Sequence, residues 1–212
     1  MRKYKYLIFD FDGTVNDTSE GIFFTFKRVL ELMGVSSDGI DFTRHIGPPL
    51  EFSYTELVGE ARCNEGIELH RKVYAECNCN QMSHLYDGIR QTLLSLKNNG
   101  YQLAIASSKY EPHALESIKY HNLSDIFKIV YGQNEKRGYK TEVLRQLIAD
   151  NGWEKDKCLM IGDTPYDIDG AHENGIDAMA VTYGFGKIDE LRQSHPEFTV
   201  HSPEEIAQIL LQ

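Results

Sequence analysis

An α/β fold with a parallel sheet and one all-helical insertion is predicted for this 212-residue chain by three observations. Short apolar runs alternate with amphipathic helical segments through most of the sequence, the pattern of parallel strands joined by crossover helices. One block, residues 17–84, has no strand-like runs of its own. Three of the apolar runs stop in polar clusters, which puts chemistry at the carboxyl ends of strands, where open α/β sheets bind ligands.

The elements follow in order. Residues 4–9 form a short apolar strand that ends at Asp10-Phe11-Asp12-Gly13-Thr14. A helix starts near Ser19, capped by Thr18 or Ser19, because Ile22, Phe23, Phe26, Val29, Leu30 and Met33 recur at helical spacing; Gly34 stops it. Gly47-Pro48-Pro49 breaks the chain, and residues 50–58 and 66–75 read as two further amphipathic helices. After Gly88 the alternation begins: helix 89–97, strand 102–106, helix 112–121, strand 126–131, helix 141–149, strand 157–161, helix 167–173 and strand 177–181. A last strand–helix pair covers 198–200 and 203–211. The core is therefore expected over residues 1–16 and 85–212, with a helical cap at 17–84. The insertion leaves just past the first strand, so it overhangs the strand ends as a lid would.

Composition narrows the function. Apolar residues are 41% and charged residues 25%, which excludes disorder, collagen and coiled coil as the main architecture. A formal charge of −10 repels nucleic-acid polymers and anionic membranes, so neither is an expected partner. No stretch approaches the ~20 apolar residues of a membrane helix. Met1-Arg2-Lys3 is basic, but Asp10 cuts the following apolar run well below the ~7–15 residues of a signal core, and a cytoplasmic location is expected. The four cysteines then read as free thiols, and Cys77-Asn78-Cys79 with His84 fits no structural zinc spacing.

The polar strand ends carry the chemistry. The second cluster is Ser107-Ser108-Lys109 and another is Gly162-Asp163-Thr164-Pro165-Tyr166-Asp167; Lys140 starts the helix after the third core strand. Singly, such an aspartate is a turn former or helix cap, and such a lysine is a solvated side chain. Jointly, carboxylates, a hydroxyl and a lysine gather at successive strand ends. Asp10, Asp163 and Asp167, with the backbone after Phe11, offer the hard oxygens that Mg²⁺ prefers. Neither acidic run places glycine as a calcium loop requires, no GxGxxG follows the first strand, and no GxxxxGK[ST] loop occurs.

These motifs resemble those of the haloacid dehalogenase-like hydrolase superfamily over essentially the whole chain. The DxDGT signature is Asp10 to Thr14, the strand-ending hydroxyl is Ser107, the lysine is Lys140 with Lys136 as a competitor, and GDxxxD is Gly162 to Asp167. The break between helices, Ile46-Gly47-Pro48-Pro49-Leu50, and the tail Thr182-Tyr183-Gly184-Phe185-Gly186 are similar to the phosphoglycolate phosphatase-like subfamily with a helical cap. The resemblance implies a Rossmann-like core and a Mg²⁺-dependent phosphatase of a small phosphorylated metabolite, with phosphoglycolate-like compounds, nucleoside monophosphates and pyrophosphate as the candidate substrates. It implies Asp10 as nucleophile, Asp12 as acid and base, Ser107 and Lys140 as phosphoryl ligands, and Asp10, Asp12 through its carbonyl, Asp163 and Asp167 as the metal set. Ser107, Ser108, Lys109 and Arg44 are expected at the substrate, with His45, Tyr54 and Arg62 as further cap candidates. A like-charge pair at ~4 Å costs ~4 kcal/mol at an effective dielectric of ~20, so a phosphate facing these carboxylates needs the cation. The second aspartate separates this pattern from the dehalogenases. A β-phosphoglucomutase-like phosphotransferase is the alternative enzyme, and a non-catalytic phosphate-binding protein the alternative outside catalysis.

Overall fold

The computed structural model describes residues 3–212; Met1 and Arg2, which begin the basic N-terminal segment, lie outside the described residues. Strand β1 (Tyr6–Phe9) leads into a two-residue strand β2 (Asn16–Asp17), helices α1 (Ser19–Leu32), α2 (Leu50–Val58) and α3 (Cys63–Glu76), and a second two-residue strand β3 (His84–Leu85). The alternating part runs α4 (Ile89–Asn98), β4 (Gln102–Tyr110), α5 (Glu111–Tyr120), β5 (Ile129–Gln133), α6 (Lys140–Asn151) and β6 (Cys158–Gly162). It closes with α7 (Pro165–Glu173), β7 (Asp177–Val181), α8 (Ile188–Gln193), β8 (Phe198–Val200) and α9 (Pro203–Leu210).

Six strands form one sheet in the order β5-β4-β1-β6-β7-β8, with every neighbouring pair parallel. The period-2 alternation of strand side chains sorts their apolar residues onto two covered faces. Leu7, Phe9, Leu103, Ile105, Leu159 and Ile161 pack against Leu93 of α4 and Ile206 of α9. Tyr6, Ile8, Ala104, Cys158 and Met160 pack against Leu144 and Leu147 of α6 and Ile168 of α7. Register fixes the site: Phe9 lies opposite both Ile105 and Ile161, so β1 reaches its end level with the points where Ser107 and Asp163 emerge. The strand order reverses at β1, which makes this edge a topological switch point.

Helices α1 to α3 bury a separate core of Phe26, Val29, Leu30, Phe42, Tyr54 and Tyr74, with Phe26 and Phe42 stacked at 5.4 Å. The outgoing and returning chain pair antiparallel at the base of this block, Asn16 with Leu85 and Asp17 with His84. Two-residue strands carry no periodic signal, which is why the sequence pattern missed them. The cap of α1 also differs from expectation. Asp17 Oδ1 accepts from the Ser19 amide at 3.0 Å and the Ser19 hydroxyl at 2.7 Å, while Thr18 Oγ1 is buried without a partner. The strand expected at 126–131 begins at Ile129 because Ile126 and Phe127 close a turn on the Leu123 carbonyl and enter the core. Strand β4 runs past its expected end to Tyr110, with its pairing to β5 shifted after Ala106. Among the described residues, no helix is long and apolar enough to cross a membrane.

Candidate active site

Asp10 follows β1 directly, its amide held by the Ile161 carbonyl at 2.8 Å. The residue is 3% exposed. Lys140, the first residue of α6, is also buried and spans two carboxylates: Nζ lies 2.6 Å from Asp10 Oδ1 and 2.8 Å from Asp167 Oδ1. The same ammonium donates to the Ala106 carbonyl at 2.8 Å. Lys136, the competing lysine, is exposed. The start of α6 is fixed by a capping box in which Glu142 accepts from the Tyr139 amide, so Lys140 is aimed by local helix chemistry.

Asp167 closes a second capping box at the start of α7. Its Oδ2 accepts from the Thr164 amide at 3.0 Å and the Thr164 hydroxyl at 2.9 Å. It is therefore both a cap and a site carboxylate, one oxygen for each role. Asp163 is held from both sides, by Thr14 Oγ1 at 2.9 Å and by the Phe185 amide at 2.8 Å. The second contact explains the Tyr183-Gly184-Phe185 tail, which folds back onto the strand ends. Gly13, at φ +92°, brings its backbone so close that a Cβ would overlap the Asp163 carboxylate.

Asp10, Asp163 and Asp167 each bring a carboxylate oxygen within 4.8 Å of the others. One ammonium, Lys140, pairs with this triad. The excess of negative charge appears in the proton affinities. Burial, then the facing Asp167 and Asp12, push the Asp10 carboxyl up to about 7 against the pull of Lys140. Burial, then Asp10 and Asp167, hold Asp163 well above the carboxylate range. A buried, all-oxygen set with surplus negative charge suits a hard divalent cation. Among the described residues this is the one His, Cys, Asp and Glu group arranged for a metal, and Cys77, Cys79 and His84 form none.

Asp12 turns away from the triad. Lys109 Nζ donates to its Oδ1 at 3.1 Å and Oδ2 at 3.2 Å. Ser107 is buried and accepts from the Lys109 amide at 3.2 Å. A small cavity of about 50 Å³ joins Asp10, Asp12, Ser107, Ser108 and Lys109 to the cap residues His45, Ile46, Pro48, His70 and Tyr74.

The remaining cap candidates stand elsewhere. Arg44, expected at the substrate, is half exposed, pairs with Glu56 and lines a different cleft, between residues 41–56 and the Thr164–Tyr166 and Phe185–Lys187 segments. Its position next to His45 on a single 3-10 turn sends the two side chains opposite ways. Tyr54 is buried in the cap core with its hydroxyl 2.9 Å from His70 Nδ1. Arg62 pairs with Glu65 and donates to the Met33 carbonyl. Four residues at the cavity do not stand out in the sequence: His70, Tyr74, Tyr110 and His113. His70 and Tyr74 share one face of α3 at i, i+4, the signal available; His113 comes from α5, and its ring stacks on Tyr74 at 4.7 Å. Burial, then Lys109, lowers His70 to about 3 and His113 to about 4, so both are neutral.

Comparison with known proteins follows the same geometry. The family model for haloacid dehalogenase-like hydrolases matches residues 7–181. A 5'-nucleotidase of Pseudomonas aeruginosa is 34% identical over 199 residues, covering 92% of this chain and 90% of its own. The tyrosine-protein kinase PtkA of Mycobacterium tuberculosis is 32% identical over 200 residues, covering 92% of this chain and 68% of its own. The crystal structure of a predicted phosphatase from Clostridium acetobutylicum superposes with a TM-score of 0.92 at 30% identity over 98% of both chains.

Proposed function

The chain belongs to the haloacid dehalogenase-like hydrolase family, and from that premise we propose that it is a Mg²⁺-dependent phosphatase of small phosphate monoesters, working through an aspartyl-phosphate. The observation that carries the proposal is the Asp10–Lys140–Asp167 bridge beside Asp163, with Asp12 and Ser107 on the same cavity. Residues 17–84 act as the cap and the strand ends as the chemical floor. The four cysteines are unpaired, which supports a reducing cytoplasmic setting.

In the proposed cycle an Asp10 carboxylate oxygen attacks phosphorus. The new O–P bond forms as the ester O–P bond breaks. Lys140 holds the other Asp10 oxygen and keeps the carboxylate aligned. Asp12 delivers its proton to the departing alkoxide, then takes a proton from the water that attacks the acyl-phosphate; the second step returns Asp10 as a carboxylate and releases phosphate. Ser107 donates to a phosphoryl oxygen. Magnesium held by Asp10, Asp163 and the Asp12 carbonyl would neutralise the phosphoryl oxygens and screen them from the carboxylates. Asp167 Oδ2 is taken up by the Thr164 cap, which leaves Oδ1, beside Lys140, as the oxygen for a direct or water-mediated role.

The test is phosphate release from an aryl phosphate with Mg²⁺, repeated with EDTA and with Asp10→Asn. Activity lost in both controls is the expected result; full activity in Asp10→Asn overturns the covalent mechanism. The likeness to PtkA favours one second reading, transfer of the phosphoryl group to an acceptor hydroxyl in place of water. Phosphorylated acceptor formed without free phosphate would select it.

A further inference from the structure

His45 is 3% exposed, and neither ring nitrogen has a hydrogen-bond partner. Its surroundings on the cap side are aromatic: the Phe26 ring lies at 5.5 Å and Phe42 at 6.3 Å. A buried polar group without a partner costs ~1–3 kcal/mol and is uncommon in native proteins, so the position calls for a missing partner. His45 lines the cavity above Asp10 and Asp12. Ser108 lines the same cavity, and its Oγ is likewise buried without a partner. Two residues with unmatched, buried polar atoms thus line the space a leaving group would occupy.

The character of that partner can be read from the cavity. Its volume of about 50 Å³ is small beside the ~300–1,000 Å³ of sites that enclose drug-sized ligands, which favours a short leaving group. Lys109 is the one lysine lining the cavity, and both oxygens of Asp12 already hold it. A carboxylate on the leaving group would therefore meet Asp10 while the one lysine of the cavity is already engaged by Asp12. Burial keeps His45 below the ordinary histidine range, and a neutral imidazole offers one donor and one acceptor. The serine hydroxyl offers the same pair. A hydroxyl is the group that answers both.

We propose that His45, with Ser108, is the specificity-determining pair for the leaving group, and that the preferred substrates are short phosphate monoesters carrying a neutral hydroxyl on that group. The proposal rests on the phosphatase reading above and names its substrate class.

The experiment compares kcat/KM for 2-hydroxyethyl phosphate, ethyl phosphate, carboxymethyl phosphate and adenosine 5'-monophosphate with Mg²⁺ present. The wild-type protein is expected to favour 2-hydroxyethyl phosphate over each of the others by about tenfold or more, because a site with unpaired polar groups rejects an analogue that leaves them unpaired. His45→Leu should bring the hydroxyethyl-to-ethyl ratio to within about twofold of one, and His45→Gln, which keeps a donor and an acceptor, should restore part of it. A wild-type ratio near one, a ratio unchanged in His45→Leu, or a tenfold preference for the carboxylate or the nucleotide overturns the proposal. The wild-type ratios decide it even where a variant fails to fold. Asp10-dependent turnover of all four esters at similar rates removes the His45 assignment alone, whereas no Asp10-dependent phosphate release from any of them removes the phosphatase reading with it.

Discussion

Lys109 Nζ sits 3.1 Å from one carboxylate oxygen of Asp12 and 3.2 Å from the other. The same ammonium lies 4.5 Å from the centre of the Tyr74 ring, which comes from α3 of the cap. Core lysine, core aspartate and cap tyrosine therefore form one contact, and the pose of Asp12 depends on the cap being in place. Lys109→Met is expected to lower kcat about 10²-fold, the lower end of what a positioned acid–base group contributes. Tyr74→Leu removes a desolvated cation–π contact of ~2 kcal/mol and should lower kcat roughly tenfold. Both variants should keep the rise in Tm on adding Mg²⁺, since neither residue touches the Asp10, Asp163 and Asp167 oxygens. Steady-state kinetics check this, and an unchanged kcat in Lys109→Met would show that the contact is only structural.

The acidic triad sets a pH dependence. Asp10, at about 7, and Asp163, held well above 3.8, both bind a proton more tightly folded than unfolded. Their contribution to stability is fully present below the unfolded value near 3.8 and is lost as pH rises through the folded values. His70 and His113 act the other way: their lowered values leave full stability above about 6.5 and lose it as pH falls towards 4 and 3. Above pH 6.5 the carboxylates are thus left to decide, and Tm without added metal should fall from pH 6.5 to 8. Magnesium binds the deprotonated oxygens, so its stabilisation should be larger at pH 8 than at pH 6. Thermal melts with and without Mg²⁺ at each pH isolate the triad, because the histidine contribution is common to both. Equal shifts at the two pH values would mean that the cation binds elsewhere.

Most of the sheet was legible because both of its faces are covered, so each strand is a continuous apolar run with a sharp polar end. Asp10, Lys140 and Asp163 follow from that pattern, since each stands where an element begins or ends, whereas Ser107 lies inside β4, just past Ala106 where its pairing with β5 shifts. Residues whose position is set by tertiary packing were not legible. Tyr74 and His113 meet only because α3 of the cap lies against α5 of the core. Arg44 and His45 are neighbours in sequence, yet a single turn sends Arg44 to Glu56 on the outside and His45 to the cavity. Composition treats them as two equivalent basic residues; only the packing of Phe26 and Phe42 distinguishes them. The two-residue strands β2 and β3 fall below the length at which alternation carries information.

Gly13 supplies a local test of how tightly the triad is built. Its φ of +92° disfavours any L side chain, and a Cβ there would overlap the Asp163 carboxylate. Gly13→Ala should displace Asp163 from Thr14 and Phe185, its two donors. The expected outcome is a loss of Mg²⁺-dependent stabilisation and a fall in stability of ~1–3 kcal/mol from the strained backbone. Calorimetric titration with Mg²⁺ reads the first and urea unfolding the second. Wild-type Mg²⁺ affinity in Gly13→Ala would remove Asp163 from the metal set.

Lys140 bridges two buried carboxylates. It is 4% exposed, and its three contacts, Asp10, Asp167 and the Ala106 carbonyl, all lie within 2.8 Å. Burial disfavours its charge, but Asp10 and Asp167 outweigh that and hold it protonated above its ordinary range. Lys140→Met keeps much of the volume and removes the charge, leaving two buried carboxylates with no ammonium between them. Breaking a buried pair in this way costs ~3–5 kcal/mol. The urea midpoint measured without metal should drop accordingly with little change in slope. Mg²⁺ should recover part of the loss, because a divalent cation on the same oxygens replaces the missing positive charge. Arg should not substitute, since a planar guanidinium demands more room than this enclosed position offers. A metal-free loss below about 1 kcal/mol would place Lys140 in the range of an exposed pair and contradict the buried bridge.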